Sequence, residues 1–337
     1  MHHPKKGLDV TLSSSALPYA WGVSPHTSQD MTVPDWSDRG LFYGDGFFTT
    51  LLVAYPNVLN WPAHQARLQN SAERLGMGSI DWATLYRGLR QGYEHGPAPR
   101  PVEVLKILVT RGSGGRGYAP PSTQTPGHYY FYRMPYPYPQ EDAPVMTDAM
   151  ALSSRIAALP QFECHLQRSE VRLGRQPLLA GLKHLNRLEN VLAQQALQGT
   201  TEPGASHQIN DAVMCDTQGH VIGTTQANLV ALEGHTLITP ILDQAGVAGT
   251  CLSGIQQAVS EILGAPWQWR AQRMTWSDLL QADAVFATNA IRGVMPVTVL
   301  DQASRSTPSL WSRGLPIHQA WLQWQVTHAL SMDALHE

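Results

Sequence analysis

Lys183 stands between two leucines in LLAGLKHLNRLENVLAQQAL (178–197). A lysine at the end of an element can act as an amine nucleophile wherever a carbonyl cofactor or substrate can reach it. The same residue also fits the solvated polar face of a surface helix, beside Asn186, Arg187 and Asn190. YGDGFFTT (43–50) places Gly44 and Gly46 around Asp45, then two hydroxyls, Thr49 and Thr50. It reads either as a tight turn before a strand or as a close backbone approach to a ligand, with both hydroxyls in a site. RGSGGRGY (111–118) lacks the Lys-Ser/Thr ending of a P-loop. It is a flexible loop, or a lid whose Arg116 and Tyr118 meet an anionic substrate. GVAGTCLSG (246–254) opens a helix with bare backbone N–H groups, a geometry that suits a phosphate.

These stretches need elements to hold them. Leu182, Leu185, Leu188, Leu192 and Ala196 recur at steps of three or four, which predicts an apolar helical stripe ended by Gly199. WPAHQARLQNSAERLG (61–76) reads as a helix with Pro62 in its first turn, and DWATLYRGLRQGYEH (81–95) as a second. VEVLKILVTR (102–111) reads as a buried strand, HYYFY as another, and ADAVFATNA (282–290) as a strand ending in polar residues. DAVMCD, HVIG, NLVAL and HTLITP are short strands separated by turns. A helix follows at 249–264, and PIHQAWLQWQVTHALSM closes the chain as a helix.

The proline-rich YRMPYPYPQEDAPV (132–145) admits neither helix nor central strand, so it reads as a linker. The expected division is a smaller α/β part at 1–135, a linker at 136–145, and a larger α+β part at 146–337, with 148–160 as an inserted segment. The fold class is mixed α and β, with a strand order that local pattern does not give.

Composition narrows the function classes. With 337 residues, 43% hydrophobic and 15% charged, the chain is ordinary for a globular protein with a large core. A net charge of −3 without a basic block argues against a nucleic-acid surface. MHHPKKGLDVTLSSS has no apolar run after its basic residues and so does not read as a secretory signal, and no stretch is long enough for a membrane span. Cys164, Cys215 and Cys251 are scattered and odd in number, which fits a reducing cytoplasm rather than a disulfide framework or a zinc site. The histidines show no ligand spacing, and FECHL around His165 reads as strand or loop, so no metal is expected.

DRGLFYGDGFFTT, HQARLQNSAERL, LKILVTRGSGGRGY, VRLGRQPLLAGLKHLNRLENVL, NLV, LDQAGVAG and TNAIRGVMPV follow one another in this order. Over roughly residues 36–300 this resembles the aminodeoxychorismate lyases, within the fold-type IV pyridoxal-phosphate enzymes. The resemblance implies a two-domain architecture like that of the D-amino-acid aminotransferases, a homodimer with the site near its interface, and pyridoxal 5'-phosphate as cofactor. It implies conversion of 4-amino-4-deoxychorismate to 4-aminobenzoate and pyruvate, a step towards folate. Lys183 matches the lysine that bonds the cofactor and then moves the proton. Arg67 matches the arginine on the cofactor phosphate, and Gly249-Thr250-Cys251 the turn that receives it. Thr50 falls where a threonine relays a proton, Asn289 lies on a strand end beside the site, and Arg116, Tyr118 and Arg175 are candidates for the substrate carboxylates.

Two positions depart from the pattern. Gly223 stands where a glutamate usually protonates the pyridine nitrogen, and Thr224 or Thr225 could hydrogen-bond a neutral nitrogen instead. Leu252 stands where an arginine is usual. The alternatives are a branched-chain or D-amino-acid transaminase of the same fold, and a degenerate homologue that binds the cofactor without turnover.

Overall fold

Strand pairing begins with GFFTTLLVA and EVLKILVT, whose alternating side chains give each strand two different faces. The structure, a computed structural model, describes residues 19–25, 35–122, 126–136, 149–157, 159, 162–198, 209–300, 303–304 and 307–336. Among these, the first sheet takes β1 (Tyr19–Val23), β2 (Gly46–Ala54), β3 (Asn57–Val58), β4 (Glu103–Thr110) and β5 (His128–Pro135) in the order β1-β5-β4-β2-β3, all antiparallel. Phe47, Leu51 and Val53 of β2 face the buried cluster built with Leu105, Ile107 and Val109. That face is covered by α2 (Trp61–Arg74) and α3 (Trp82–Glu94), while α1 (Arg39–Tyr43) precedes β2. Trp61, His64, Leu68, Ser71 and Ala72 give α2 its buried stripe at the expected spacing. The opposite face presents Leu52 and Val104 to Leu152 and Ile156 of α4 (Ala149–Ala157).

The second sheet is larger. It holds β6 (Cys164–Leu173), β7 (Asp211–Asp216), β8 (Val221–Thr224), β9 (Asn228–Glu233), β10 (Thr236–Pro240), β11 (Gln268–Gln272), β12 (Ala284–Asn289) and β13 (Gly293–Leu300), in the order β11-β10-β9-β12-β13-β6-β7-β8, with β14 (Ala303–Ser304) on β13. Parallel pairing at β10/β11, β13/β6 and β6/β7 mixes with antiparallel pairing elsewhere. Such crossovers join distant segments, which is why local spacing does not reveal them. The helices with this sheet are α5 (Leu188–Gln198), α6 (Thr250–Ala258), α7 (Trp276–Gln281) and α8 (Thr307–Thr327). Cys251, Leu252 and Ile255 of α6 and Trp321 and Trp324 of α8 share a core with Leu232, Leu237 and Phe286. After α8 the chain returns to the first sheet, where β15 (Leu330–Ser331) pairs with β3.

The structure corrects one expected helix. The apolar spacing predicts a helix from Leu182 onward, but 181–187 is extended or irregular and α5 begins only at Leu188. Leu188 and Leu192 of the expected buried stripe are 75% and 52% exposed, while Ala193 and Leu197 are the buried pair. The backbone between 181 and 185 is drawn instead into long-range pairing, which outweighs the helical preference of its leucines. The linker expected at 136–145 lies outside the described residues except for Tyr136, which is buried beside Leu52 and Val104. Of the inserted segment expected at 148–160, the described part is α4 and Leu159, and both pack on the first sheet.

Candidate active site

Lys183 is strung between the two sheets. Its carbonyl accepts the Phe48 N–H at 2.9 Å, and the Leu185 N–H donates to the Gly46 carbonyl at 3.0 Å, tying the segment to β2. Gly181 donates to the Gly246 carbonyl at 3.0 Å and accepts from Ala248 at 2.9 Å, tying it to the loop before α6. Extended backbone sends neighbours to opposite sides. Leu182 is buried in the protein, and Lys183 faces a cavity of about 530 Å³.

This cavity is lined by Phe48 and Thr50 from β2, Arg67 from α2, Lys183 and Arg187 from the bridging segment, Gly223 to Asn228 around the β8–β9 turn, Gly249 and Thr250 at the start of α6, and Thr288 to Arg292 at the end of β12. Among the described residues lining it, four are cations and none is acidic. The Lys183 ammonium lies 4.7 Å from the centre of the Phe48 ring. Burial pushes its pKa down to about 7, and Arg67, Arg187 and Lys106 push in the same direction. A sizeable fraction of this amine is therefore unprotonated, and nucleophilic, near neutral pH.

Arg67 is held in place by donation from Nη2 to the Ala248 carbonyl at 2.7 Å and from Nη1 to Thr49 Oγ1 at 3.4 Å. Burial first, and Arg187 second, bring its pKa to about 10, so it stays cationic at neutral pH. Behind it, the buried His64 bridges Thr49 Oγ1 at 2.7 Å and Thr250 Oγ1 at 3.5 Å. Burial, with Arg67 and Lys183 nearby, lowers the His64 pKa well below 6.5, so the ring is a neutral spacer between β2 and α6. Gly249 caps α6 without any side-chain hydrogen bond to the first turn. A Cβ at Gly249 would lie 1.9 Å from Asn228 Oδ1, so only glycine lets the turn approach that close. The amide groups of the α6 first turn and the Arg67 guanidinium thus meet at one end of the cavity, an arrangement that holds a phosphate.

Residues 46–300 match the amino-transferase class IV family. The chain belongs to that family. An aminodeoxychorismate lyase from Vibrio harveyi is 32% identical over 263 residues, covering 77% of this chain and 85% of that protein. The crystal structure of 4-amino-4-deoxychorismate lyase from Pseudomonas aeruginosa is 30% identical, covers 88% of this chain and 98% of its own, and superposes with a TM-score of 0.65. A hypothetical aminotransferase from Mycobacterium tuberculosis in a PLP-bound form is 17% identical with a TM-score of 0.65 over 90% of this chain and 99% of its own, which shows the shared fold.

In this class IV chain, the structure gathers Lys183, Thr50, Arg67, Thr224, Thr250 and Asn289 around one cavity. Thr49 does not join them, because the pleat turns it away to His64. Cys251 also turns away. Its side chain is sealed in the core with its pKa raised by burial, which leaves only its backbone amide at the helix start. The Thr224 hydroxyl is engaged in its own turn, accepting the Ala227 N–H at 2.8 Å. That of Thr225 donates to Asp211 Oδ1 at 2.5 Å. Asn289 is a turn-former: Oδ1 accepts the N–H groups of Ile291 at 3.0 Å and Arg292 at 2.8 Å.

Three expected substrate residues lie elsewhere. Arg175 is spent on Asp216 Oδ2 and Gln218 Oε1, each at 2.7 Å, and does not line the cavity. Arg116 is exposed, and Tyr118 is 87% exposed on a loop whose carbonyls accept from Arg39. The local pattern also passed over four cavity residues, Phe48, Arg187, Asn190 and Arg292. Arg187 donates to the Leu182 carbonyl at 2.7 Å and the His184 carbonyl at 2.9 Å, so it clasps the lysine segment and adds charge beside it. Its only sequence signal was its place four residues after Lys183. Asn190 donates to the Thr225 carbonyl at 3.0 Å, joining α5 to the β8–β9 turn.

Proposed function

We propose that the cavity binds pyridoxal 5'-phosphate and that the protein converts 4-amino-4-deoxychorismate to 4-aminobenzoate and pyruvate. The carrying observation is Lys183: a buried amine brought to a pKa of about 7, facing a cationic cavity with an open helix terminus. The residues fit the cofactor. The volume suits a small ring ligand with room for substrate, Arg67 and the α6 amides suit its phosphate, and Lys183 suits its carbonyl carbon. Bound there, the cofactor supplies an electron sink for the substrate amine it captures.

The chain's own residues do the rest. Lys183 would hold the cofactor, and its free amine would take the proton from the reacting ring carbon of the substrate. Its lowered pKa makes it a competent base near neutrality. Thr50 lies on the same wall as Phe48, one pleat further along β2, where its hydroxyl can relay a proton. Phe48 covers the amine with its ring, and Val104 and Met134 continue an apolar stretch of the wall further along the sheet. Loss of the side-chain oxygen and gain of an aromatic ring drive the reaction, so it asks less electron withdrawal than transamination does.

Gly223 supports that assignment over a transaminase. No acidic side chain is present among the cavity-lining residues to hold a proton on the ring nitrogen, and the Thr224 and Thr225 hydroxyls are already partnered. The same observation favours a second reading, a cofactor-binding homologue without turnover. Release of pyruvate and 4-aminobenzoate from 4-amino-4-deoxychorismate by the loaded protein decides between them.

The functional unit in this reading is a homodimer. Leu178, Leu188, Val191 and Leu192 near the lysine segment and Leu41, Phe42 and Tyr118 near β2 are exposed apolar side chains that a second copy would cover. In this reading each protomer divides into a smaller part at 1–135 and a larger part at 146–337, with α4 and β15 reaching back onto the smaller part's sheet. The reaction serves folate synthesis in the cytoplasm, with which three free, buried cysteines are consistent. No described helix is long and apolar enough to cross a membrane, and no described cluster of side chains could hold a metal ion.

A further inference from the structure

Resting on the reading above, we infer that Arg292 binds the ring carboxylate of the substrate. Of the four cations lining the cavity, Arg67 and Arg187 donate to backbone carbonyls, and Lys183 is reserved for the cofactor. The Arg292 guanidinium has no acidic partner within 4.0 Å among the described residues. It lies over the Phe162 ring, 5.3 Å from the centroid, which fixes its plane without using its N–H groups. The turn that carries it is pinned by Asn289 Oδ1, which accepts the Arg292 N–H at 2.8 Å. A guanidinium so placed presents a planar fork to a carboxylate.

Position along β2 says which carboxylate. The lysine segment is paired to β2, His184 with Phe47 and Lys183, through its carbonyl, with Phe48. Thr50 is the next residue on that face, and Leu52 the next after it. Arg292 and Leu52 together line a small cleft beside the main cavity. Each such step along a strand is about 7 Å. The wall therefore runs from the lysine, past Thr50, to the arginine. The substrate reacts through its amino group, and its ring carboxylate stands para to that group, at the far side of the ring. The leaving side chain, which carries the other carboxylate, is on the ring carbon next to the amine and so lies closer to the lysine end.

Arg292→Met and Arg292→Lys, compared with wild type as pyridoxal-phosphate-loaded proteins, test this. Three readouts are needed: binding of 4-aminobenzoate by calorimetry, inhibition by pyruvate, and KM and kcat for pyruvate release from 4-amino-4-deoxychorismate. Arg292→Met should weaken 4-aminobenzoate at least tenfold and raise KM by a similar factor, with kcat changed less. Pyruvate inhibition and cofactor affinity should stay as in wild type, and Arg292→Lys should fall between. Unchanged 4-aminobenzoate affinity and KM in Arg292→Met, with active wild type, would overturn the assignment and leave the proposed reaction standing. A loss confined to pyruvate would overturn it in favour of the side-chain carboxylate. Equal losses in cofactor affinity and folding stability would overturn it in favour of a structural role. If wild type binds 4-aminobenzoate through Arg292 but releases no pyruvate, the carboxylate site stands and the proposed reaction falls. If wild type neither binds 4-aminobenzoate nor turns over, both fall.

Discussion

Replacing Lys183 by methionine should make the cofactor-free protein more stable at neutral pH. The unfolded chain carries this lysine with its usual pKa of 10.5, whereas burial and three neighbouring cations bring the folded value to about 7. Below 10.5 the unfolded chain therefore binds a proton that the folded chain refuses, and wild-type stability falls as pH falls through this window. The penalty grows by about 1.4 kcal/mol per pH unit and levels off below about pH 7, near 5 kcal/mol. Methionine keeps the aliphatic packing, and the ammonium–Phe48 contact it gives up exists only in the protonated fraction, so its loss costs about 1 kcal/mol or less at pH 7 and nothing by pH 10. A net gain of about 4 kcal/mol is expected at pH 7, shrinking towards zero by pH 10. Urea unfolding of both proteins, stripped of cofactor and followed by tryptophan fluorescence at pH 7, 8.5 and 10, measures it. Cofactor must be absent, because it would stabilise only the protein that binds it well. A methionine variant no more stable than wild type at pH 7, or a difference independent of pH, would refute the argument that Lys183 is desolvated and near-neutral.

Arg67→Ala should weaken pyridoxal-phosphate binding about ten- to a hundredfold, since a charged hydrogen bond contributes about 1.5–3 kcal/mol; spectral titration reads this, and equal retention on dialysis would place the phosphate elsewhere. Thr50→Val should leave cofactor affinity unchanged and lower kcat about 10²-fold or more if the hydroxyl relays a proton, whereas an unchanged kcat would remove it from the reaction. At Gly223 an added Cβ would lie 2.9 Å from the Ala227 carbonyl, so Gly223→Ala should destabilise by about 1–3 kcal/mol, and Gly223→Glu should need a backbone shift before its carboxylate could reach a ring nitrogen. A Gly223→Ala protein as stable as wild type in urea would show that the turn yields freely.

Much of the frame was legible in the residues. The apolar periods of α2, α3 and β4 are local and strong, and the glycine-led opening of α6 has a physical signature in its uncapped amides. The failures share one cause. Leu182, Leu185 and Leu188 have helical spacing, yet Lys183 and its neighbours pair with β2 and with the loop before α6, partners far away in sequence. Arg175 looked free because Asp216, which binds it, is equally remote. Thr49 and Thr50 were expected in one site, although the pleat that separates them follows from their strand. Arg292 carried no signal, because only the fold brings the end of β12 beside Leu52. Lys183 itself was found through the family resemblance, and its local spacing pointed to a solvated helix face.

The most direct test is to load the protein with pyridoxal phosphate, supply 4-amino-4-deoxychorismate, and quantify pyruvate and 4-aminobenzoate, with Lys183→Met in parallel. The account predicts that wild type forms the two products in equal amounts with multiple turnovers, that the variant forms neither at a measurable rate, and that wild type exchanges amino groups with D- or L-alanine only negligibly. Brisk exchange with alanine and no pyruvate from the substrate, or full product formation by Lys183→Met, would contradict it.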